Sequence, residues 1–485
     1  MKLTTFKERA AGWLPQMMLI LCLLQPVLDV VSYWLIALEL PNAPTTLLRF
    51  VMLAAIVLMG FVLSDRKRWY VVMASVLALL TAGHLWACSL WGYDNLMGDL
   101  ANLVRIYQLP VMTLSFITFI KWNRGSMEAV EKGFFWCLIV CAGVEVLSVV
   151  TGTNPYTYPN KEVGVLGWFY FANSQSAIVS ALVPMAMVYA LHKWPNRTWI
   201  FAVISLLGTA VLYFFATRLA YTSLILTIVG LLACLLILGY LHKWQVRKPV
   251  AVLLACGVLA VTGYSVSPMV RNNQMVAQNK IIKQQDIEEK VAADEAAARA
   301  AGMEGETLET ARLASAYETY LTGPTGRFGL ERTAKWYNYS TDAGDIADVR
   351  REKITYNDML LEDCPTGSYW FGLEREDMIF GGEAYDVEND FHGIFYLCGM
   401  VGLVLYLLFL GFFFLRIAVA LLRNFRETMS LPAVGCGLAI VTLMIHAYFT
   451  CGVLRRPNVN IYLAILLAMS YGLTMGQKRQ KEVEA

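Results

Sequence analysis

The stretch TWIFAVISLLGTAVLYFFATRLAYTSLILTIVGLLACLLILGYL, residues 198–241, runs for 44 residues with Arg218 as its only charge. An α-helix rises about 1.5 Å per residue, so roughly 20 apolar residues cross the ~30 Å hydrocarbon core of a bilayer. The stretch is far too long for one crossing. It reads as two membrane helices joined by a tight turn at Thr217 and Arg218, although neither Gly nor Pro marks the turn. Apolar runs of similar reach recur along the chain near 14–37, 47–64, 69–88, 104–120, 133–151, 168–191, 249–267, 391–415, 432–452 and 457–475, about twelve spans in all.

The whole composition agrees. With 57% hydrophobic residues, 16% charged residues and a mean hydropathy of +0.52, the chain falls outside the range of soluble domains, whose charged share is about a quarter. The expected fold is all-α: a polytopic membrane protein with about twelve transmembrane helices and one large helical loop domain outside the cytoplasm. The domains are expected at 1–267 (spans one to nine), 268–390 (the loop) and 391–485 (the last three spans and a tail). No cleavable signal is expected, since the first run, Leu14 to Ala37, has no small-residue cleavage site and continues into further spans.

Basic residues orient the spans. Lys2, Lys7 and Arg9, DRKR at 65–68, KWNRGSMEAVEK at 121–132, HKWPNR at 192–197, HKWQVRK at 242–248, Arg416, Arg423 and Arg426, and Lys478, Arg479 and Lys481 alternate with loops poor in positive charge. The protein is therefore expected in a bacterial cytoplasmic membrane, with both termini cytoplasmic. The segment 268–390 then faces outward. It holds 24 of the 37 acidic residues against 13 Lys and Arg, and its stretch 279–321 reads as two charged helices separated near Gly302 to Gly305.

Nine of the ten cysteines lie in or beside apolar runs, which speaks against a disulfide framework in the outer loop, where only Cys364 sits. None of the five histidines stands at a zinc-finger or HExxH spacing, so no metal site and no cofactor are expected. Nor is there a nucleotide-binding glycine loop or a nucleophile elbow. An enzyme of this kind must take an already activated substrate. In bacterial membranes that substrate is commonly a glycan on a polyprenyl diphosphate, whose anionic leaving group calls for Arg forks and whose acceptor hydroxyl calls for a carboxylate or imidazole base.

Several stretches, taken in order, resemble one family. GWFYFANSQSAIVSALVP (167–184) is similar to the aromatic, Asn-centred opening of a mid-chain span in the O-antigen ligase and polymerase family, and FFATRLAYTSLIL (214–226) to its Thr/Ser-Arg span start. GRFGLER (326–332), SYWFGLE (368–374), VENDFHGIFYLCGMVG (387–402) and IHAYFTCGVLRRPNVNIYLAI (445–465) resemble its loop arginine, its Gly-Leu turn, the span after the loop and its closing hairpin. QPVLDVVSYW (25–34) looks like the first span of the exopolysaccharide-cluster branch.

The resemblance implies a type C glycosyltransferase fold that moves a glycan, without metal and with inversion, from undecaprenyl diphosphate to a glycan, lipid or protein acceptor. Nucleic acid has no place in that chemistry. Where the family's ligases carry a His, about eleven residues before the position of Gly399, this chain has Glu388, a departure that leans from ligase toward a polymerase or a divergent branch. The resemblance therefore implies Glu388 as base with His392 one turn deeper, and Arg218 and Arg327 on the diphosphate. Arg332, Arg455, Arg456, His446 and Asn173 are the expected substrate contacts.

Each candidate also has a plainer reading. Asn389 and Asp390 suit the N-cap of the tenth span, and Glu388 suits a solvated loop. Arg218 suits a turn marker, and Arg49 and Arg105 suit headgroup anchors. Asp29 and His446 sit inside spans, where ionisable groups are paired or functional; His84 ranks below them. Trp168 and Tyr170 suit an interfacial belt. A lipid-linked oligosaccharide transporter or flippase, which would show inverted halves, and a non-catalytic envelope-assembly subunit are the alternative functions.

Overall fold

The computed structural model describes residues 2–475, with side chains from residue 7 onward. The basic tail at Lys478, Arg479 and Lys481, and the side chain of Lys2, lie outside the described residues. In chain order the helices are α1 (Lys2–Ala37), α2 (Ala43–Leu63), α3 (Arg68–Ser89), α4 (Leu96–Trp122), α5 (Gly125–Val150), α6 (Ala172–Lys193), α7 (Thr198–Phe214), α8 (Arg218–His242) and α9 (Arg247–Thr262). A run of loop helices follows: α10 (Pro268–Ala300), α11 (Gly305–Ala311), α12 (Ala314–Tyr320), α13 (Thr322–Phe328), α14 (Leu330–Trp336), α15 (Ala343–Ile346), α16 (Val349–Asp363) and α17 (Thr366–Phe371). The chain closes with α18 (Asp390–Arg423), α19 (Phe425–Thr428), α20 (Leu431–Phe449) and α21 (Pro457–Leu473).

The protein is an all-α polytopic membrane protein. Each apolar run of the sequence is a helix. Nine helices among the described residues are long and apolar enough to cross a membrane, while α7, α9 and α21, at 17, 16 and 17 residues, are shorter. The turn between α7 and α8 falls at Phe215–Thr217, where Ala216 adopts a left-handed φ of 68°. Thr217 supplies what Gly or Pro does not: its Oγ1 accepts from Ala220 N (3.0 Å), capping α8, and pairs with Ser176 Oγ (3.1 Å).

The chain divides into two compact units: residues 1–77, 105–271 and 406–485 in one, and 78–104 with 272–405 in the other. In the first unit α6 is the central helix, with 94% of its span window buried. Its sequence foreshadows this, because Ser174, Gln175, Ser176 and Ser180 are small or polar side chains that suit a helix–helix contact better than lipid. Close approaches follow from small residues. Gly208 of α7 packs against Val183 and Gly435 of α20 against Val188, each leaving little room for a Cβ.

The second unit is mostly short helices. The stretch 279–321, expected as two helices, forms three, because the chain breaks again at Arg312–Leu313 to bury Leu313 against Ile287, Tyr317 and Tyr337. A two-residue hairpin, β1 (Ile379–Phe380) and β2 (Glu383–Ala384), turns through Gly381 and Gly382, both at positive φ, as a tight hairpin requires. Here also α18 is kinked. Gly399 stands at φ 67°, ψ −176° inside the helix, and a Cβ there would collide with the backbone of Trp370 and Phe371. Leu373 N donates to the Tyr396 carbonyl (2.7 Å) across the same crossing. Gly399→Ala is expected to cost about 1–3 kcal/mol through overpacking and a forced left-handed residue, read as a lowered thermal midpoint of the purified protein. An unchanged midpoint would show that the kink tolerates a side chain.

Candidate functional site

In the first unit a cavity of about 250 Å³ is lined by four arginines, Arg49, Arg105, Arg455 and Arg456, against one carboxylate, Asp29. Asp29 sits on α1 and Arg49 on α2, whose Nη2 donates to Asp29 Oδ1 (2.6 Å). Asn458, at the start of α21, donates from Nδ2 to the other carboxylate oxygen (3.2 Å). Arg49 Nε is buried and has no acceptor among the described residues, so the guanidinium keeps an N–H in reserve. Asp29 is thus oriented from both oxygens while its neighbours remain predominantly cationic.

The backbone adds to that field. The residues capping α2 (Asn42), α6 (Phe171) and α21 (Arg456) all line the cavity, so the positive ends of three helix dipoles border it. Pro457 at the first position of α21 costs no hydrogen bond there, and its carbonyl accepts from Gln108 Nε2 (3.1 Å), tying α4 to α21. Arg455 is buried, and the Arg456 guanidinium lies 4.8 Å over the Phe171 ring, a cation–π contact that holds the fork flat. Phe169, Tyr170 and Phe171 form one wall. A smaller apolar hollow shares Arg49, Leu53, Gln108 and Pro457 and continues past Met52, Ile56, Met112 and Ile461. Chemically the arrangement suits a polyanion, with an aromatic wall on one side and a small apolar hollow on another.

Of the expected site residues, Arg455 and Arg456 line this cavity. Arg49, Arg105 and Tyr170, read from sequence as headgroup anchors and a belt residue, line it too; the spacing of single residues at span ends carries no sign of this convergence. Asn173 is not among the lining residues, and its carbonyl lies against Gly452. His446 is fully buried, with Nε2 3.1 Å from Ser180 Oγ and 3.2 Å from Ser223 Oγ. Arg218 is exposed at the first position of α8.

Glu388, His392, Arg327 and Arg332 belong to the second unit. Glu388 pairs with Arg350 (2.8 Å). Asn389, not Asp390, caps α18: its Oδ1 accepts from Phe391 N (2.9 Å) and His392 N (3.1 Å), while Asp390 is fully buried. His392 is exposed, in the electrostatic neighbourhood of Asp358, which accepts from Tyr396 Oη (2.6 Å). Arg332 grips Asp363 with two hydrogen bonds (2.8 and 2.9 Å) and also donates to Glu362 and the Met359 carbonyl. Arg327 donates to Tyr356 Oη (3.0 Å) and to the Asp377 carbonyl (3.2 Å), over the stacked pair Tyr356 and Tyr385. Ranked low in the sequence, His84 is fully buried beside Cys88 and Asp99.

Burial pushes the Asp377 carboxyl up to about 6, opposed by Arg327 and reinforced by Glu374 and Asp94. The folded chain therefore holds this proton more tightly than the unfolded chain. The stability it contributes is present below about pH 4 and is lost as pH rises through about 6. Asp377→Asn should flatten the fall of the thermal midpoint between those limits, measured against the parent in the same detergent. Equal slopes in the two proteins would remove Asp377 from the account.

Comparison with known proteins bears directly on this geometry. A family model described as O-antigen ligase like membrane protein matches residues 11–473. The chain belongs to this family. The match spans both compact units and includes all the lining residues of the cavity. No curated protein sequence matches the chain. Membership supports a ligase- or polymerase-like role in a membrane that carries lipid-linked glycan.

Proposed function

We propose that the protein transfers or polymerises a glycan from a polyprenyl-diphosphate carrier onto an acceptor hydroxyl at the outer face of the cytoplasmic membrane. The observation that supports this reading best is the convergence of Arg49, Arg105, Arg455 and Arg456 with three helix N-termini on one cavity that continues into an apolar hollow. A diphosphate suits the charged part, and the adjoining apolar side chains Met52, Ile56, Met112 and Ile461 offer a hydrophobic border to the lipid end of the carrier. The arginines supply the positive charge that the leaving group requires, and their planar forks bind two phosphate oxygens at once.

In the reaction the acceptor oxygen forms a bond to the anomeric carbon from the face opposite the diphosphate. The carbon–oxygen bond to the diphosphate breaks, and the electron pair leaves with the phosphate oxygen, so the anomeric configuration inverts. The acceptor proton passes to a carboxylate. Asp29 is the carboxylate in the cavity and the base preferred here; Glu388, in the second unit, is the base that the family resemblance implies. Arg218 and Arg327 remain candidates for the diphosphate on that same resemblance.

The test is turnover of a polyprenyl-diphosphate-linked glycan by purified protein in detergent, without nucleotide or added metal, followed as released polyprenyl diphosphate and as product size on a gel. A ladder indicates a polymerase, and a single addition to an acceptor indicates a ligase. Donor binding without release would favour the transporter or the assembly-subunit reading. For sidedness, a cysteine label at 290–360 is expected to react in intact cells and one at 124–126 is not; the reverse pattern would place the loop in the cytosol.

A further inference from the structure

His84 and Cys88 stand one helical turn apart near the end of α3, and Asp99 lies on the first turn of α4. Their ligand atoms all lie within 4.8 Å of one another, and all three side chains are buried. His84 Nδ1 is 2.8 Å from the Phe371 carbonyl oxygen, which can only accept, so Nδ1 carries the hydrogen. In the neutral imidazole Nε2 is then a lone pair. That lone pair faces Asp99 Oδ2 at 2.6 Å and Cys88 Sγ at 3.5 Å. Either a second proton, giving a His84–Asp99 ion pair, or a metal ion must therefore lie between Nε2 and the carboxylate. A proton bonds only two of the three atoms, whereas a metal ion satisfies all three.

We propose that His84, Cys88 and Asp99 form a structural site for a zinc-class divalent cation. The donor set of imidazole, thiolate and carboxylate is the borderline-soft set that such ions take, and its two negative charges neutralise the ion in a buried place. With Zn–N about 2.0–2.1 Å and Zn–S about 2.3 Å, tetrahedral ligand atoms N and S stand about 3.5 Å apart, which is the separation observed; N and O would stand about 3.3 Å apart, so the Asp99 carboxylate has to draw back from its 2.6 Å contact with Nε2 to admit the ion. Outer partners hold two of the ligands in place, as metal sites require. The Phe371 carbonyl fixes the His84 tautomer, and Arg375 N–H holds the other Asp99 oxygen (3.3 Å). Tyr93 Oη lies 3.5 Å from Asp99 Oδ2. The ion would clamp the α3–α4 connection to the 371–375 turn, a position that Glu374 already braces by accepting from Asp94 N (3.0 Å) and Asn95 N (2.5 Å). It takes no part in glycan transfer and stands independently of the function proposed above.

The full chain, purified in detergent after growth with zinc and dialysis against a weak chelator, is expected to retain about one metal ion per chain by elemental analysis. Cobalt(II) added to the stripped protein should give sulfur-to-cobalt charge-transfer absorption. Cys88→Ser should abolish that absorption and weaken metal affinity by more than the roughly 10–100-fold that loss of even an outer partner costs, with the elution profile unchanged. The proposal is overturned if the wild type retains no metal and shows no cobalt absorption, leaving a His84–Asp99 ion pair, or if Cys88→Ser holds metal as the parent does. Should Cys88→Ser fail to fold, cobalt titration of the wild type alone decides.

Discussion

Arg455→Lys is expected to lower the rate of glycan transfer by about 10²–10³-fold, the usual loss when one preorganised donor to a developing anion is removed. The charge survives the substitution; the planar fork does not. The residue is buried at the cavity, and a lysine there would offer a single ammonium in place of two parallel N–H donors. Measured as released polyprenyl diphosphate under single turnover, the loss should appear with donor still bound. Arg332→Lys is the matching control, since that side chain is already engaged by Asp363 and Glu362 in the loop helices and its replacement should leave the rate near that of the parent. If Arg455→Lys is fully active and Arg218→Lys is dead, the diphosphate is held at the start of α8 and the four-arginine cavity serves another ligand.

The second large effect concerns the base. Asp29→Asn should reduce the rate by about 10²–10⁴-fold, the range of general-base catalysis, while donor binding remains. Asparagine keeps the shape and accepts from Arg49 through its one oxygen, and its amide can donate to Asn458 once that side chain turns its own oxygen inward, so the loss would report proton transfer more than architecture. Glu388→Gln, which breaks only a half-exposed pair with Arg350, should cost little. The opposite outcome, a dead Glu388→Gln and an active Asp29→Asn, would put the base in the loop unit at the position that the family resemblance implies. A rate lost in both would mean that neither carboxylate acts alone.

Much of the architecture was legible because a bilayer imposes so strong a rule on composition. A run such as 198–241 has no other stable use than to span, and the placement of its break at Thr217 followed from the one charge it contains. The acidic segment 268–390 stood out by the same contrast, and its helical character by its Ala, Glu and Lys content. The third helix within 279–321 was not legible, since Leu313 breaks the pattern only to reach a core made by residues distant in sequence.

The candidate site divides along similar lines. Arg455 and Arg456 were visible through the family motif at 445–465 that contains them. Arg49 and Arg105 each look like an isolated charge opening a different span, and Asp29 like an ionisable residue inside another. Only packing shows that α1, α2, α4 and α21 bring them to one cavity, because helix rotation about its own axis is set by neighbours and not by the apolar run itself. The same holds for His84, Cys88 and Asp99: the i, i+4 pair is in the sequence, but its third ligand and the Phe371 carbonyl that sets the tautomer arrive from 15 and 287 residues away. The sequence by itself thus determined a many-span helical membrane protein with a large acidic loop, since hydrophobic length and charge segregation are one-dimensional properties. Which charges meet was decided by tertiary structure alone, because close approach of side chains depends on the facing of helices, and a hydropathy pattern leaves that facing open.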